Sequence, residues 1–200
     1  MPLRRTAMSS GRLLPFHGDM TKTEHQTGHR TDGRTHGGTG RGTGTGGAAG
    51  AVLGAATVAT GLTAGVWFAY ACSVMPALAR SDDRVYVEVM RNINDVIQNP
   101  VFFTPFFGAL LLTALAVRQL RSGGRARGWT VAALVLYVAV FAVTSAANVP
   151  LNDALAATAD PARARAAFEG PWVLWNDVRG VLTLAGFGCL LRAWAVRGRG

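Results

Sequence analysis

The sequence predicts an all-α protein: a four-transmembrane-helix bundle with a short amphipathic helix in each outer loop and a disordered N-terminal tail. Three observations predict this architecture. Four apolar runs are each long enough to cross a hydrocarbon core about 30 Å thick. None of these runs carries the polar stripe of a helix in a soluble protein. The composition also changes sharply near residue 50, where a Gly-rich segment ends.

The predicted tail covers residues 1–49. It contains all four histidines, eleven of the 25 glycines and none of the five tryptophans. Residues 31–47 consist almost entirely of Gly, Thr, Arg and His, so they have too little apolar surface to offset the entropy lost on ordering. Residues 1–16 lack the apolar run that a secretory signal peptide requires. We therefore expect a disordered tail over residues 1–49 and a membrane domain over residues 50–200.

Four apolar runs qualify as membrane spans. They cover residues 51–78, 101–117, 129–149 and 171–196. The first run has 28 residues without a charged side chain, and at about 1.5 Å per residue this length exceeds the hydrocarbon core. The second run follows Pro100 and the third ends at Pro150. The fourth begins at Pro171, because proline suits the first position of a helix.

Two Gly-x-x-x-Gly motifs lie at the first span, Gly50 with Gly54 and Gly61 with Gly65. Small residues at this spacing let the backbones of two membrane helices approach closely. The motifs favour packing within the bundle over a dimer, and the oligomeric state stays open. The only two cysteines fall near opposite membrane faces by this span assignment, so no disulfide is expected.

The distribution of basic residues predicts the orientation. The tail, the second loop and the C-terminal end carry 14 Lys or Arg, whereas the first and third loops carry six. Because short basic loops stay in the cytoplasm, we expect a multi-pass plasma-membrane protein with both termini cytoplasmic. The net charge of +9 then orients the chain in the lipid bilayer. No nucleic-acid partner is expected, since the basic residues lack aromatic partners for stacking.

The two outer loops collect polar residues. Residues 81–99 have the periodicity of an amphipathic helix. Its apolar side would be formed by Val85, Val89, Ile93, Val96 and Ile97, and its polar side by Glu88, Asn92, Asp95 and Asn99. The third loop predicts a short helix that begins at Asp160-Pro161 and ends at Gly170-Pro171.

All six asparagines fall at the outer membrane face by this span assignment. They are Asn92, Asn94, Asn99, Asn148, Asn152 and Asn176. Asparagines are ordinary at helix ends, and Asn148 and Asn152 alternatively cap the third helix around Pro150. Six amides at one face nevertheless predict a polar pocket at the outer mouth of the bundle.

Four side chains at the head of the fourth span share a helical face by their spacing: Trp172, Trp175, Asn176 and Arg179. The two tryptophans are alternatively part of the aromatic belt at a membrane interface. Arg179 lies about 12 Å into the helix, where a cation is costly unless it is paired or near water. Its candidate partners, in a structural or a functional ion pair, are Asp153, Asp95 and Glu88.

Four segments of the chain resemble the anthrone oxygenase family of small four-span membrane proteins, many of which are known only as a domain of unknown function. The segments are Met75-Pro-Ala-Leu78, NDVIQNPVFF (94–103), NVPLND (148–153) and FEGPWVLWNDVR (168–179). The resemblance runs from about residue 50 to residue 191. It implies insertion of oxygen from O₂ into an anthrone carbon, giving an anthraquinone, without a metal or flavin cofactor.

The resemblance also implies a site at the outer face. An anthrone that loses a proton becomes an electron-rich anion, so the protein must supply a base, hydrogen-bond donors for an oxyanion, and an apolar slot. The expected catalytic residues are Asn176, Arg179, Asp177 and Asn152. The expected substrate-binding residues are Trp172, Trp175, Asn148, Asn92, Asp95, Asn99 and Tyr70. The base would be Asp95, Asp153 or Asp177.

Two positions depart from the family pattern. Asp177 stands where the family often has His, and Gly180 stands where it often has Thr. No histidine follows His36, so histidine ligands for iron or copper are absent from the membrane domain, and we expect no metal site. Either a carboxylate replaces the imidazole as the base, or the activity has been lost.

A second function stays open from the sequence. A non-catalytic membrane protein that binds a small molecule, or an accessory subunit of a membrane complex, would show saturable binding or a stable partner without turnover. A transporter is disfavoured, because the first three spans contain no acidic residue and no internal repeat is evident.

Overall fold

Helices build the membrane domain in the structure, a computed structural model that describes residues 43–121 and 123–197. No strand occurs among these residues, which confirms the all-α prediction. The helices are α1 (Thr43–Ala69), α2 (Met75–Leu78), α3 (Asp83–Val96), α4 (Pro100–Gln119), α5 (Gly124–Val143), α6 (Val149–Ala157) and α7 (Pro161–Val196). The π-helical segment Tyr70–Val74 joins α1 to α2, and a second one, Thr144–Asn148, joins α5 to α6.

Four helical stretches are long and apolar enough to cross a membrane. They are Gly47–Leu78, Pro100–Gln119, Gly124–Ala157 and Pro161–Val196. α1 packs on α4 and α7, and α5 packs on the same two helices, so the long helices close into a ring. The predicted four-span membrane protein is therefore confirmed, with boundaries that differ from the prediction at several ends.

The first helix begins inside the segment that was predicted to be a tail. Residues 1–42 of that tail lie outside the described residues, whereas residues 43–49 are helical. Ala49 is already buried. Leu53 and Ala56 follow it at helical spacing and lie in one core cluster with Leu190 and Ala193 of α7. Contacts with α7 thus extend the helix beyond the apolar run.

Each π-helical segment is followed by one residue and then a proline. These pairs are Met75-Pro76 after the first segment and Val149-Pro150 after the second. In each, the residue before the proline donates its N–H to the carbonyl five residues back. Proline lacks an N–H for the i−4 carbonyl and its ring crowds that carbonyl, and the wider π turn relieves both problems. The third span therefore continues past Pro150 to Ala157 instead of ending at residue 149.

α7 runs without interruption through Gly170 and Pro171, where the sequence predicted a break. The predicted start is right, because the Asp160 carboxylate caps the helix by accepting a 2.7 Å hydrogen bond from the backbone N–H three residues later. Phe168 and Trp172 are buried on either side of the proline in one cluster with α3. Burial of these rings outweighs the loss of one backbone hydrogen bond, so the predicted loop helix is the first third of α7.

α3 is amphipathic, as predicted, but it buries a different face. Tyr86, Val87 and Met90 are buried against α6 and α7, whereas Val85 and Val96 are 43% and 72% exposed. The helix carries apolar side chains on more than one side, and the position of α7 determines which of them is covered.

Arg165 of α7 fastens the start of α3. Its guanidinium forms ion pairs with Glu169 at 2.7 Å and Asp83 at 3.1 Å, and it donates to the Ser81 carbonyl at 2.8 Å. The guanidinium carbon also lies 4.6 Å from the centroid of the Tyr86 ring. Burial raises the pKa of Tyr86, and the charge of Glu169 raises it further, while Arg165 lowers it. Both ion pairing and packing thus hold α3 against α7.

Candidate functional site

A cavity of about 430 Å³ lies where α3, α4, α6, α7 and the two π-helical segments meet. Small-molecule sites are typically about 300–1,000 Å³ in volume. Six aromatic side chains and nine polar or charged side chains contribute to the lining. The cavity is therefore large enough for a small aromatic ligand.

Arg179 is a buried cation in this cavity, with only 4% of the residue exposed. Its guanidinium carbon lies 4.0 Å from the centroid of the Trp67 ring and 5.6 Å from that of the Trp172 ring. Its Nη2 donates to Oδ1 of Asn176 at 3.4 Å, and Nδ2 of Asn176 donates to the Trp67 carbonyl at 3.3 Å. Two indole rings and one amide therefore hold the guanidinium in place.

Asn148 brings a buried amide to the same cavity. It is 1% exposed and ends the second π-helical segment, in which Thr144 also lines the cavity. Neither Nδ2 nor Oδ1 of Asn148 has a hydrogen-bond partner among the described residues, and the same is true of Nε of Arg179 and Nε1 of Trp67. Buried polar atoms are normally hydrogen-bonded. These four buried atoms are exceptions to that rule, and the three side chains that carry them all line the cavity.

Trp172 and Tyr70 form one aromatic wall, with ring centroids 5.7 Å apart. The indole N–H of Trp172 donates to Oδ1 of Asn152 at 2.9 Å. Trp172 is 4% exposed, so this hydrogen bond both satisfies a buried donor and sets the orientation of the ring.

Two phenylalanines of α4 form a second aromatic wall. The Phe102 and Phe106 rings stack at 5.3 Å, and the Trp67 ring meets them edge-on at 5.9 Å and 6.3 Å. Phe141 of α5 stacks behind Phe106 at 4.4 Å. Each ring is thus held by a neighbouring ring, which gives the cavity a flat apolar side.

The exposed part of the cavity lining, here called the mouth, carries the carboxylates of Asp95 and Asp153. Arg91 lies beside them and donates to the backbone carbonyls of Leu155 at 2.8 Å and Thr158 at 2.6 Å. These bonds satisfy the C-terminal end of α6 and tie it to α3. Among the described residues, no group of three or more His, Cys, Asp or Glu side chains is placed to hold a metal ion.

A second groove of about 460 Å³ adjoins the cavity beneath α3. Its lining includes Asn92 and Asn99 among valine and isoleucine side chains. Tyr70 and Ile97 line both the groove and the cavity. Asn99 also caps α4, because its Oδ1 accepts from the N–H groups of the second and third residues after it.

The structure brings seven of the residues predicted as catalytic, substrate-binding or base residues together in the cavity lining: Tyr70, Asp95, Asn148, Asn152, Asp153, Trp172 and Arg179. Asn176 is buried behind Arg179 and is not itself part of the lining. Trp175 and Asp177 are exposed, and neither lines the cavity. The buried face of α7 follows Trp172, Asn176, Arg179 and Thr183, so Trp175 does not share that face. None of the three candidate carboxylates forms an ion pair with Arg179.

The cavity residues that were not predicted from the sequence include Trp67, Arg91, Phe102, Phe106 and Thr144. Trp67 carried a usable signal, because it lies well inside an apolar run, whereas tryptophans of membrane helices concentrate at the interfaces. Phe102 lies within the NDVIQNPVFF segment. Arg91 gave no signal, since its partners are backbone carbonyls more than 60 residues away.

Comparison with models of protein families gives a match to the family described as anthrone oxygenase, over residues 96–189. This region contains α4, α5, α6 and most of α7, and with them Asn148, Asn152, Trp172 and Arg179. No curated protein and no solved structure matches the chain. The match over residues 96–189 therefore supports membership in the anthrone oxygenase family.

Proposed function

We propose that this chain is a membrane-embedded oxygenase that needs no cofactor and converts a lipophilic, anthrone-like aromatic to its quinone with O₂. The observation that carries the proposal is the buried guanidinium of Arg179, which faces a cavity with flat aromatic walls. The family match supports the same chemistry. The rings of the substrate would lie between Trp172 and Tyr70 on one side and Phe102 and Phe106 on the other.

The reaction balances with O₂ as the oxidant. Loss of a proton from the ring CH₂ gives an enolate whose negative charge is shared between the ring carbon and the carbonyl oxygen. One electron passes to O₂, and the two radicals combine into a C–O bond, which gives a hydroperoxide after protonation. Loss of the remaining proton on that carbon breaks the O–O bond, forms the second carbonyl and releases water. Hydrogen-bond donors on the oxyanion lower the first barrier.

Arg179 and Asn148 are the proposed donors to that oxygen, because both side chains carry N–H groups and line the buried part of the cavity. Asn176 would hold the guanidinium in position through its 3.4 Å contact. The base would be Asp153 or Asp95, whose carboxylates line the mouth. Asp177 is a poorer candidate for the base, because it is exposed and lies outside the cavity lining.

The proposed location is the plasma membrane, with both termini in the cytoplasm and the cavity near the outer face. This orientation rests on the 14 basic residues of the tail, second loop and C-terminal end against six in the other loops. Cysteine accessibility tests it. A reagent that does not cross membranes should label a cysteine placed at exposed Asp160 in intact cells, but not one placed at exposed Arg125.

The decisive activity assay uses the purified chain in lipid nanodiscs. Protein and anthrone are mixed without oxygen, ¹⁸O₂ is admitted, and the quinone is followed by its absorbance and its mass. Empty nanodiscs measure the spontaneous oxidation. We expect faster quinone formation with the protein, and one ¹⁸O atom in each product molecule.

The matched variants are Arg179→Gln and Arg192→Gln, since Arg192 is an exposed arginine of the same helix outside the cavity lining. Arg179→Gln should lower the rate by about 100-fold or more, and Arg192→Gln should leave it unchanged. Equal rates with and without protein would remove the oxygenase proposal. Saturable anthrone binding without turnover would instead support the non-catalytic binder.

A further inference from the structure

Arg179 carries a charge that no protein anion neutralises within the described part of the chain. Arg179 forms no ion pair with a described residue, whereas Arg165 forms two. The contacts of Arg179 are two indole rings and the amide oxygen of Asn176. All three are neutral groups. An arginine stays protonated in proteins, and burial of an uncompensated cation is unfavourable.

Buried polar atoms in the same cavity lining also lack partners. Nε of Arg179 and both amide atoms of Asn148 are buried and have no partner among the described residues. Both side chains line the cavity, and both residues are less than 5% exposed. A ligand in the buried part of the cavity would therefore contact the two side chains that carry these atoms.

The acidic groups of the cavity do not supply the missing charge. Asp95 and Asp153 are exposed at the mouth, where water screens them, and neither forms an ion pair with Arg179. The buried part of the cavity is therefore positive, and the exposed part carries the negative groups. A neutral ligand would leave the guanidinium uncompensated.

We propose that the cavity binds its ligand as a preformed anion, an aromatic phenolate or enolate whose oxygen contacts Arg179 and Asn148. For an acidic phenol the charge is then present in the resting complex, whereas for an anthrone it is the enolate that forms when the base removes the ring proton. Acidic phenols of the same ring size, hydroxyanthraquinones among them, should bind as well as any substrate. The choice of a three-ring ligand rests on the proposed function, whereas the anionic form rests on the unneutralised cation.

The test uses 2-hydroxyanthraquinone, which has no ring CH₂ to oxygenate and changes colour when its phenol ionises. Its visible spectrum is titrated with pH in the presence of the full chain in nanodiscs and with empty nanodiscs. An opposite charge within about 4–6 Å shifts an ionisation by about 1–3 pH units. We expect the bound phenol to ionise at a pH lower by that amount.

Four variants assign the effect. Arg179→Gln should abolish the shift, Arg179→Lys should keep most of it, and Arg192→Gln should match the wild type. Asn148→Asp changes few atoms but adds a carboxylate beside the cation, so it should also abolish the shift. Arg179→Lys and Asn148→Asp keep the test decisive if Arg179→Gln does not fold.

A bound ligand that keeps its neutral spectrum, an unshifted midpoint, or the absence of saturable binding would each overturn the inference. The outcome is separable from that of the oxygenase proposal. A lowered midpoint without anthrone turnover leaves the anion site and removes the oxygenase. Turnover with an unshifted midpoint leaves the oxygenase proposal and removes the anion site.

Discussion

The indole N–H of Trp172 donates a 2.9 Å hydrogen bond to the amide oxygen of Asn152, and this bond joins α7 to α6 at the cavity wall. Trp172 is 4% exposed, so water cannot readily replace the acceptor. Loss of an acceptor from a buried donor costs about 1–3 kcal/mol. Asn152→Leu should therefore lower the free energy of unfolding by about that amount.

The matched control for this bond is the double variant. Trp172→Phe removes the donor, so adding Asn152→Leu to Trp172→Phe should cost less than Asn152→Leu costs alone. Thermal unfolding of the four proteins in one detergent measures the difference. Strictly additive effects would mean that the bond contributes nothing beyond the packing of the two side chains.

The two carboxylates of the mouth can be separated by isosteric amides. Proton transfer by a positioned side chain contributes about 100- to 10,000-fold to a rate. Of Asp153→Asn and Asp95→Asn, the variant that removes the base should lower kcat for anthrone by at least about 100-fold, with little effect on binding of the hydroxyanthraquinone. Glu88→Gln, an exposed position of α3 outside both cavities, is the control. Wild-type rates in both aspartate variants and in their double variant would exclude a carboxylate base at the mouth.

Gly61 and Gly65 of the first span provide a matched pair of substitutions. A Cβ added to Gly61 would lie 3.1 Å from the ring of Phe187 in α7, whereas one added to Gly65 would meet no atom within 4 Å. Overpacking of this kind costs about 1–3 kcal/mol. Gly61→Leu should lower the unfolding temperature in detergent, and Gly65→Leu should not. If Gly65→Leu were the damaging change, that face would pack against a second copy of the chain instead.

The second π-helical segment can be removed by deleting one residue. Ala146 is exposed within it, and a π turn differs from an α turn by one additional residue between hydrogen-bonded groups. Deletion of Ala146 should convert the segment to α-helix and change the spacing of Thr144 and Asn148. We expect circular dichroism to show an unchanged helix content, together with loss of anthrone turnover. Retained turnover would show that the π turn only accommodates Pro150.

Much of the fold follows from the sequence, because a bilayer imposes a simple requirement on every span. Residues 101–117 had to be apolar over their whole length, and the structure contains Pro100–Gln119. The helix ends were harder to predict, since Pro150 and Pro171 are strong local signals for a break. Tertiary contacts outweigh both signals. A π turn accommodates Pro150, and the burial of Phe168 and Trp172 carries α7 through Pro171.

The site was predictable in part. Polar residues at the outer face drew attention to Asn148, Asn152 and Arg179, which all line the cavity. Helical spacing alone could not decide between Trp172 and Trp175, because the buried face of α7 depends on where α1 and α3 lie. The contact between Arg179 and Trp67 joins the first and last spans, so no local pattern could predict it.

The long helices have a consequence for the depth of the cavity. Gly124–Ala157 contains 34 residues, which as an α-helix would measure about 51 Å, against a hydrocarbon layer of about 30 Å. Unless the helix tilts strongly, the surplus extends beyond the hydrocarbon layer at one or both ends, so the height of the cavity relative to the membrane surface depends on how far the bundle sinks or tilts. In a thicker bilayer, made of longer acyl chains, Asp153 and Asp95 would lie closer to the hydrocarbon layer. In a thinner bilayer they would lie farther from it, in water. We therefore expect the lipid composition to affect how much water enters the cavity.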